Sequence, residues 1–399
     1  MTADSRDVIR SLPFQGFRIL DFTQALAGPT ATMFLSTLGA ECIRIGRVQQ
    51  RRASRGRTQL EEINVNKLSI MLDLKQPEAI EIVRKLASVS DAVVDNFRPG
   101  VMDRLGIGYE ALSSVNPRIV SLSISAQGAT GPAKGDGGYA GVFSAMAGFS
   151  ELMGYPDGPP VELRAQSDLI AGTMAAQVLM AALVNQRKTG QGQFIDMSNT
   201  EMFSVFIGEV LMDYFINHRT QTRQGNEHIA WTPNECYRCA GEDRWISITV
   251  TNDGEWQALA GYVGGTQLQD DERFADGFLR WRNREALNAI LCQWSADKSD
   301  MVLMEALQDL GIPAVPVMHP YDLMEDPHLN DRERWQVLDR ADGSPYFMGS
   351  MLPWVFSKSP ALSYAIGSDA GADTDDLLRG MLELSDSQIE DLRQRQVIG

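Results

Sequence analysis

The chain has 399 residues, 44% of them hydrophobic, which is enough for a sizeable core and about two or three domains by length. With 36 basic residues against 52 acidic ones the net charge is −16, which argues against a sequence-independent grip on nucleic acid or on an anionic membrane. Four cysteines are too few for a disulfide framework.

Residues 1–16 carry Asp4, Arg6, Asp7 and Arg10 and no long apolar core, so no signal peptide is expected and the expected location is cytoplasmic. Residues 17–22 read as a strand, 23–29 as a turn with Gly28-Pro29 at a helix start, 30–38 as a helix stopped by Gly39, and 41–45 as a second strand. This is a βαβ unit of a parallel sheet, without the GxGxxG or P-loop glycines of an ordinary nucleotide fingerprint. Arg44, Arg47, Arg51, Arg52, Arg55 and Arg57 then occur with no acid among them. Arginine forks match phosphate oxygens, so this segment suits a phosphate-bearing ligand at the sheet's carboxyl edge; a solvated basic loop is the alternative. Strands at 68–72, 92–94 and 119–124, with a helix from Pro77 through Leu86 and a turn over 96–100, continue the alternation. The pattern predicts a doubly wound α/β domain.

Asp168 closes a polar stretch and precedes the apolar run 169–184. The run is broken by Thr173 and Gln177, is too short to span a bilayer and reads as a buried core helix. An aspartate in this place is first a helix N-cap. No cysteine or histidine is near it in sequence, so any catalysis there would use a bare carboxylate. Cys236-Tyr237-Arg238-Cys239 lacks a second ligand pair, since His228 and Cys292 have no matching spacing. It is followed by an alternating strand at 245–250 instead of opening a helix, so neither a zinc site nor a redox site is expected. His218, His228, His319 and His328 form no hydrolase triad or HExxH pattern. From 249 to about 318 the chain reads as helices rich in Trp, Leu and Ala, a smaller second domain, and Ser385 with Gln388 marks a capping-box helix through Arg395.

Several ordered segments together resemble one family. They include Leu20-Asp21-Phe22-Thr23 through Ala27-Gly28-Pro29, Asn66-Lys67-Leu68-Ser69, Asp95-Asn96-Phe97-Arg98-Pro99-Gly100 with Arg104-Leu105-Gly106, Thr189-Gly190-Gln191-Gly192-Gln193, Gly311-Ile312-Pro313-Ala314 and Glu325-Asp326-Pro327-His328. In that order and spacing the chain is similar to the class III coenzyme A transferases, which include formyl-CoA:oxalate and carnitine CoA transferases and, as relatives, α-methylacyl-CoA racemases. The resemblance implies an α/β fold: a Rossmann-like large domain (1–215, with 330–399 returning to it), a smaller α+β domain (225–325), and an interlocked homodimer. It implies transfer of CoA from an acyl-CoA donor to a carboxylate acceptor, with CoA as substrate and no permanently bound cofactor. Asp168 falls at the family's catalytic aspartate, a carboxylate nucleophile that passes through a mixed anhydride and an aspartyl-CoA thioester. Carried over by position, Gln24, Ala25, Leu26 and Ala27 border the thiol end. Leu72, Lys75, Asn96, Phe97 and Arg104 flank the adenine and phosphates, Tyr139 belongs to the same site, and Arg44 is added on charge.

Three departures bear on this. Gly46 stands where the family usually has Glu. Gly138-Tyr139-Ala140 lacks the acid that often follows Tyr or His there. No histidine precedes His218, which weakens a two-base racemase, although a racemase and a non-catalytic CoA-binding relative remain alternatives. Glu227, in Gly225-Asn226-Glu227-His228, occupies the region of the oxalate enzyme's shielding loop.

Overall fold

Six short strands rich in aliphatic residues build the central sheet of the computed structural model, which describes residues 12–48, 61–340, 343–349, 352–359 and 364–399. Arg51, Arg52, Arg55 and Arg57 lie outside the described residues. The strands are β1 (Arg18–Asp21), β2 (Glu41–Arg47), β3 (Lys67–Leu72), β4 (Ala92–Asp95), β5 (Val120–Ser125) and β6 (Gln193–Ser198). Their order is β3-β2-β1-β4-β5-β6 and every pairing is parallel. This is the strand order of a dinucleotide-binding Rossmann sheet, reached here without the glycine fingerprint. Alternate strand residues feed two cores: Ile19 packs with Leu35, Leu179 and Leu183 on one face, and Leu20 with Ile43, Ile70 and Val83 on the other. Burial of both faces is why β1 and β4 read as nearly continuous apolar runs. β6 does not, because its first four residues are partly or fully exposed, and the sequence pattern passes over it.

The chain separates into two compact units. The first lies within Met1–Ser150, Glu162–Arg219 and Glu333–Gly399; the second within Glu151–Val161 and Thr220–Arg332. In the first, helix Ala27–Thr37 starts earlier than the expected Thr30, since Pro29 is tolerated in a first turn whose N–H groups need no helical partner. Helix Ala165–Thr189 ends at Gly190 in the left-handed conformation, with Arg187 and Lys188 against the negative helix end. Its apolar residues divide between a buried face (Ala171, Ala175, Leu179, Leu183) and exposed Leu169 and Val184, so it is only in part the core helix expected. By length and composition only, its 25 residues are long and apolar enough to cross a bilayer, as those of a soluble protein's core helix also can be, and 44% of its most apolar window is buried inside the protein. The Ser385 capping box is present at helix Asp386–Gln394, and Ile398 bridges to Leu72 of β3.

The second unit has an antiparallel sheet of β7 (Asn234–Arg238), β8 (Trp245–Thr249) and β9 (Ala314–Pro316), in that order. Tyr237, Ile246 and Ile248 pack there with Trp256, Phe274 and Leu291 from its helices. Cys236 is on β7 and Cys239 follows it; both are free thiols. Glu227 pairs with Arg284 at 3.0 Å within this unit.

Candidate active site

The geometry starts from a buried ion pair beneath the turn that leaves β1. Asp21 and Lys67 are each 1% exposed, with Lys67 Nζ 3.0 Å from Asp21 Oδ2. Burial pulls the Lys67 ammonium below its usual range, and the Asp21 charge opposes that shift. The ammonium also donates to Pro29 O (2.9 Å) and Thr32 Oγ1 (2.7 Å), while Asp21 Oδ1 accepts from Thr23 N–H (2.9 Å) and the Thr23 hydroxyl (2.5 Å). One ion pair therefore fixes both ends of the turn and the first turn of helix Ala27–Thr37. Asn96, just past β4, closes it from the other side: its Oδ1 accepts Gln24 N–H (2.8 Å) and its Nδ2 donates to Gln24 O (2.7 Å). Between these anchors Ala25 sits at φ 61, in the left-handed region where a Cβ is normally unwelcome.

Asp168 lies on a helix that packs closely against helix Ala27–Thr37. It is in the first turn of its helix, which starts at Ala165 after Arg164 with no side-chain cap, so the aspartate is not the N-cap expected. Gly172, four residues on and on the same face, lies so near the other helix that a Cβ there would stand 2.5 Å from Ala27 O. The half-buried Asp168 carboxylate has no ion-pair or hydrogen-bond partner among the described residues. Burial raises its pKa above the ordinary aspartate value. The positive end of the helix works against that shift.

A cavity of about 520 Å³ opens over these groups. It sits at the carboxyl ends of β1 and β4, where the strand order reverses, the usual ligand position in an open parallel sheet. Of the residues singled out from sequence, Gln24, Ala25, Ala27, Asn96, Phe97, Tyr139 and Asp168 line it together. Tyr139 stands at its rim, 83% exposed. Leu26, Arg44, Leu72, Lys75 and Arg104 do not line it. Leu72 has no exposed surface and its side chain belongs to the sheet core, which corrects its reading as a ligand neighbour. Arg44 turns back into the protein, donating to Ser368 O at 3.0 Å, and burial lowers its pKa. Lys75 and Arg104 are exposed, in the turn after β3 and at the end of helix Val101–Arg104. The Asn96 amide is spent on the Gln24 peptide and so serves the turn.

The sequence reading assigned no site role to Arg98, Ser125, Asp136 or Asn199, which also line the cavity. The Arg98 guanidinium lies across Gly137, where a Cβ would fall 2.6 Å from its Nη2. The available signal was position, since Ser125 ends β5 and Asn199 follows β6 at the edge where parallel sheets bind ligands.

A parallel 3-2-1-4-5-6 sheet with an unpaired carboxylate at its switch point defines a doubly wound α/β protein. Residues 14–374 match CoA-transferase family III, and the chain belongs to that family of transferase enzymes. It is 28% identical to the succinyl-CoA–L-malate CoA-transferase beta subunit of Chloroflexus aurantiacus, over 97% of this chain and 98% of that one. It is 32% identical to the succinyl-CoA:glutarate CoA-transferase of Mus musculus, over 79% and 74%. Among solved structures it is similar to a CaiB/BaiF family protein from Brucella suis, with a TM-score of 0.83 and 28% identity, covering 93% of this chain and 100% of that one.

Proposed function

We propose that the protein moves coenzyme A from an acyl-CoA thioester to a carboxylic acid, with Asp168 as the nucleophile. The observation that carries this is the half-buried, unpaired Asp168 carboxylate on the switch-point cavity. A carboxylate held without a counter-cation keeps its lone pairs for a carbonyl carbon. It attacks the donor thioester carbonyl, the C–S bond breaks and CoA leaves as thiolate, giving a mixed anhydride. The thiolate then attacks the aspartyl carbonyl, releasing the donor acid and leaving an aspartyl-CoA thioester. The acceptor carboxylate attacks that thioester and expels the thiolate. The thiolate adds to the acceptor's carbonyl in the new anhydride, which frees Asp168 and the product acyl-CoA. Each step passes through an oxyanion that fixed donors must meet. The Ala25 N–H, in the left-handed turn that lines the same cavity as Asp168, is suited to that role.

Both curated relatives described above are named for succinyl-CoA with a second dicarboxylic acid, so acids of that class are the substrates of choice here. Helix Gly208–Asn217 has no buried residue and exposes Met212, Tyr214, Phe215 and Ile216. An apolar face of that kind supports a subunit interface, and we read the assembly as an interlocked homodimer located in the cytoplasm. Incubation with succinyl-CoA followed by intact-mass measurement tests the chemistry. A covalent adduct on the wild type, absent from Asp168→Asn, is expected together with a loss of turnover of at least about 10⁴-fold. Turnover in Asp168→Asn within about tenfold of wild type would refute the assignment.

A further inference from the structure

Ser125 and Asn199 meet at the carboxyl edge of the sheet. Ser125 pairs in register with Ser198, and Asn199 follows directly as the first residue of helix Asn199–Val205. Both line the cavity that holds Asp168, yet Ser125 is 7% exposed and Asn199 4%. Ser125 Oγ and Asn199 Oδ1 have no hydrogen-bond partner in the protein among the described residues. Asp95 and Ser198 on the same edge are satisfied, while Thr200 Oγ1, next along the chain, is also unpaired but does not line the cavity. Asp95 accepts from Phe97 N–H and the Ser123 hydroxyl, and Ser198 Oγ caps the helix through Glu201 N–H. An unpaired buried oxygen costs about 1–3 kcal/mol. Two together weigh heavily against a net stability of about 5–15 kcal/mol, so the pair calls for a gain elsewhere.

We propose that Ser125 and Asn199 form the floor of an acyl-recognition subsite, which hydrogen-bonds an oxygen at the far end of a short acyl chain and so selects dicarboxylic acids over plain fatty acids. The inference rests on the CoA-transfer reading for the identity of its ligand. The Ser125 hydroxyl donates one hydrogen bond, and the Asn199 carboxamide, turned over, offers its NH₂ as a second donor. Oxygen and nitrogen of an asparagine are assigned from partners, and here there are none to fix them. Among the described residues Arg98 is the only cationic side chain lining the cavity and makes no ion pair; it stands there beside two carboxylates, Asp136 and Asp168, and is the one lining group whose charge attracts an anionic chain end. The discrimination follows from the pairing itself. A chain ending in methyl leaves both polar groups buried and unmet, and sites built around a substrate oxygen reject analogues that lack it far more strongly than apolar pockets reject a size change.

Succinyl-CoA and butyryl-CoA have acyl chains of equal length and differ at the far end, carboxylate against methyl. Titrated calorimetrically into Asp168→Asn protein, where no acyl transfer intervenes, succinyl-CoA is expected to bind at least about tenfold more tightly. Added singly, Asn199→Leu and Ser125→Ala should each bring that ratio to within about threefold of unity. Ser125→Ala should melt no lower than its parent, because it deletes an unpaired hydroxyl; if Asn199→Leu does not fold, Ser125→Ala carries the test. A parent ratio near unity, or a ratio that survives both substitutions, overturns the proposal. Failure of the transfer reading shows separately, as absence of any Asp168 adduct in the wild type, while the binding ratio still reports on the floor.

Discussion

Asp95 ends β4 immediately below the Asn96 clamp, and it is the group whose titration most directly couples the site to stability. Burial pushes its pKa from 3.8 up to about 6, against the Phe97 N–H and Ser123 hydroxyl bonds that favour the charged form. A gap of that size corresponds to about 3 kcal/mol. Because the folded-state value lies above the unfolded one, the native state holds the proton more tightly. The contribution is complete below about pH 4 and is lost as pH rises through about 6. Asp95→Asn fixes the neutral form without losing geometry, since both hydrogen bonds land on Oδ1, which the amide retains. The variant should match wild type near pH 4, exceed it by about half of the 3 kcal/mol at pH 5, and by nearly all of it at pH 8. Urea unfolding of both proteins at these pH values measures the difference. A variant less stable than wild type at pH 8, or a difference that does not change with pH, would refute the reasoning.

Two further outcomes follow from the same region. Lys67→Met strips the counter-charge from fully buried Asp21 and should cost about 3–5 kcal/mol, read as a fall in urea midpoint; a loss below about 1 kcal/mol would mean the pair does not anchor the turn. The acid limb of the kcat profile should lie above the ordinary aspartate range, because burial raises Asp168 and the nucleophile must be ionised; activity therefore rises with pH through that raised value, and a limb at or below the ordinary range contradicts the assignment.

Much of the sheet was legible because β1 to β5 are covered on both faces and so carry apolar runs, whereas edge strand β6 shows no such run. Asp168 was legible as a helix-start residue, but its role as a cap was misjudged. The helix begins at Ala165, inside a polar stretch with no apolar periodicity to reveal it. Its weight as a site residue came from family register, not from local pattern. Arg44 shows the reverse limit. Its charge suggested a ligand contact, yet its partner Ser368 is 324 residues away, a pairing that no window of sequence displays. Ser125 and Asn199 become neighbours only through the β5–β6 register. Local chemistry therefore located the elements, and tertiary contact decided which side chains face the cavity.

The left-handed Ala25 carries a consequence for how the site keeps its shape. An alanine there costs about 1–2 kcal/mol that a glycine would not. The turn is thus held like a bent spring between two clamps, the Asp21–Lys67 pair and the Asn96 bridge. A glycine would relax the spring and give the turn other rest positions. The alanine leaves it one, so a few tenths of an ångström of drift at the cavity wall meets a restoring force from the backbone itself. Rigidity here comes from tension across the sheet's switch point, and a peptide copy of the turn, cut from β4, would not retain it.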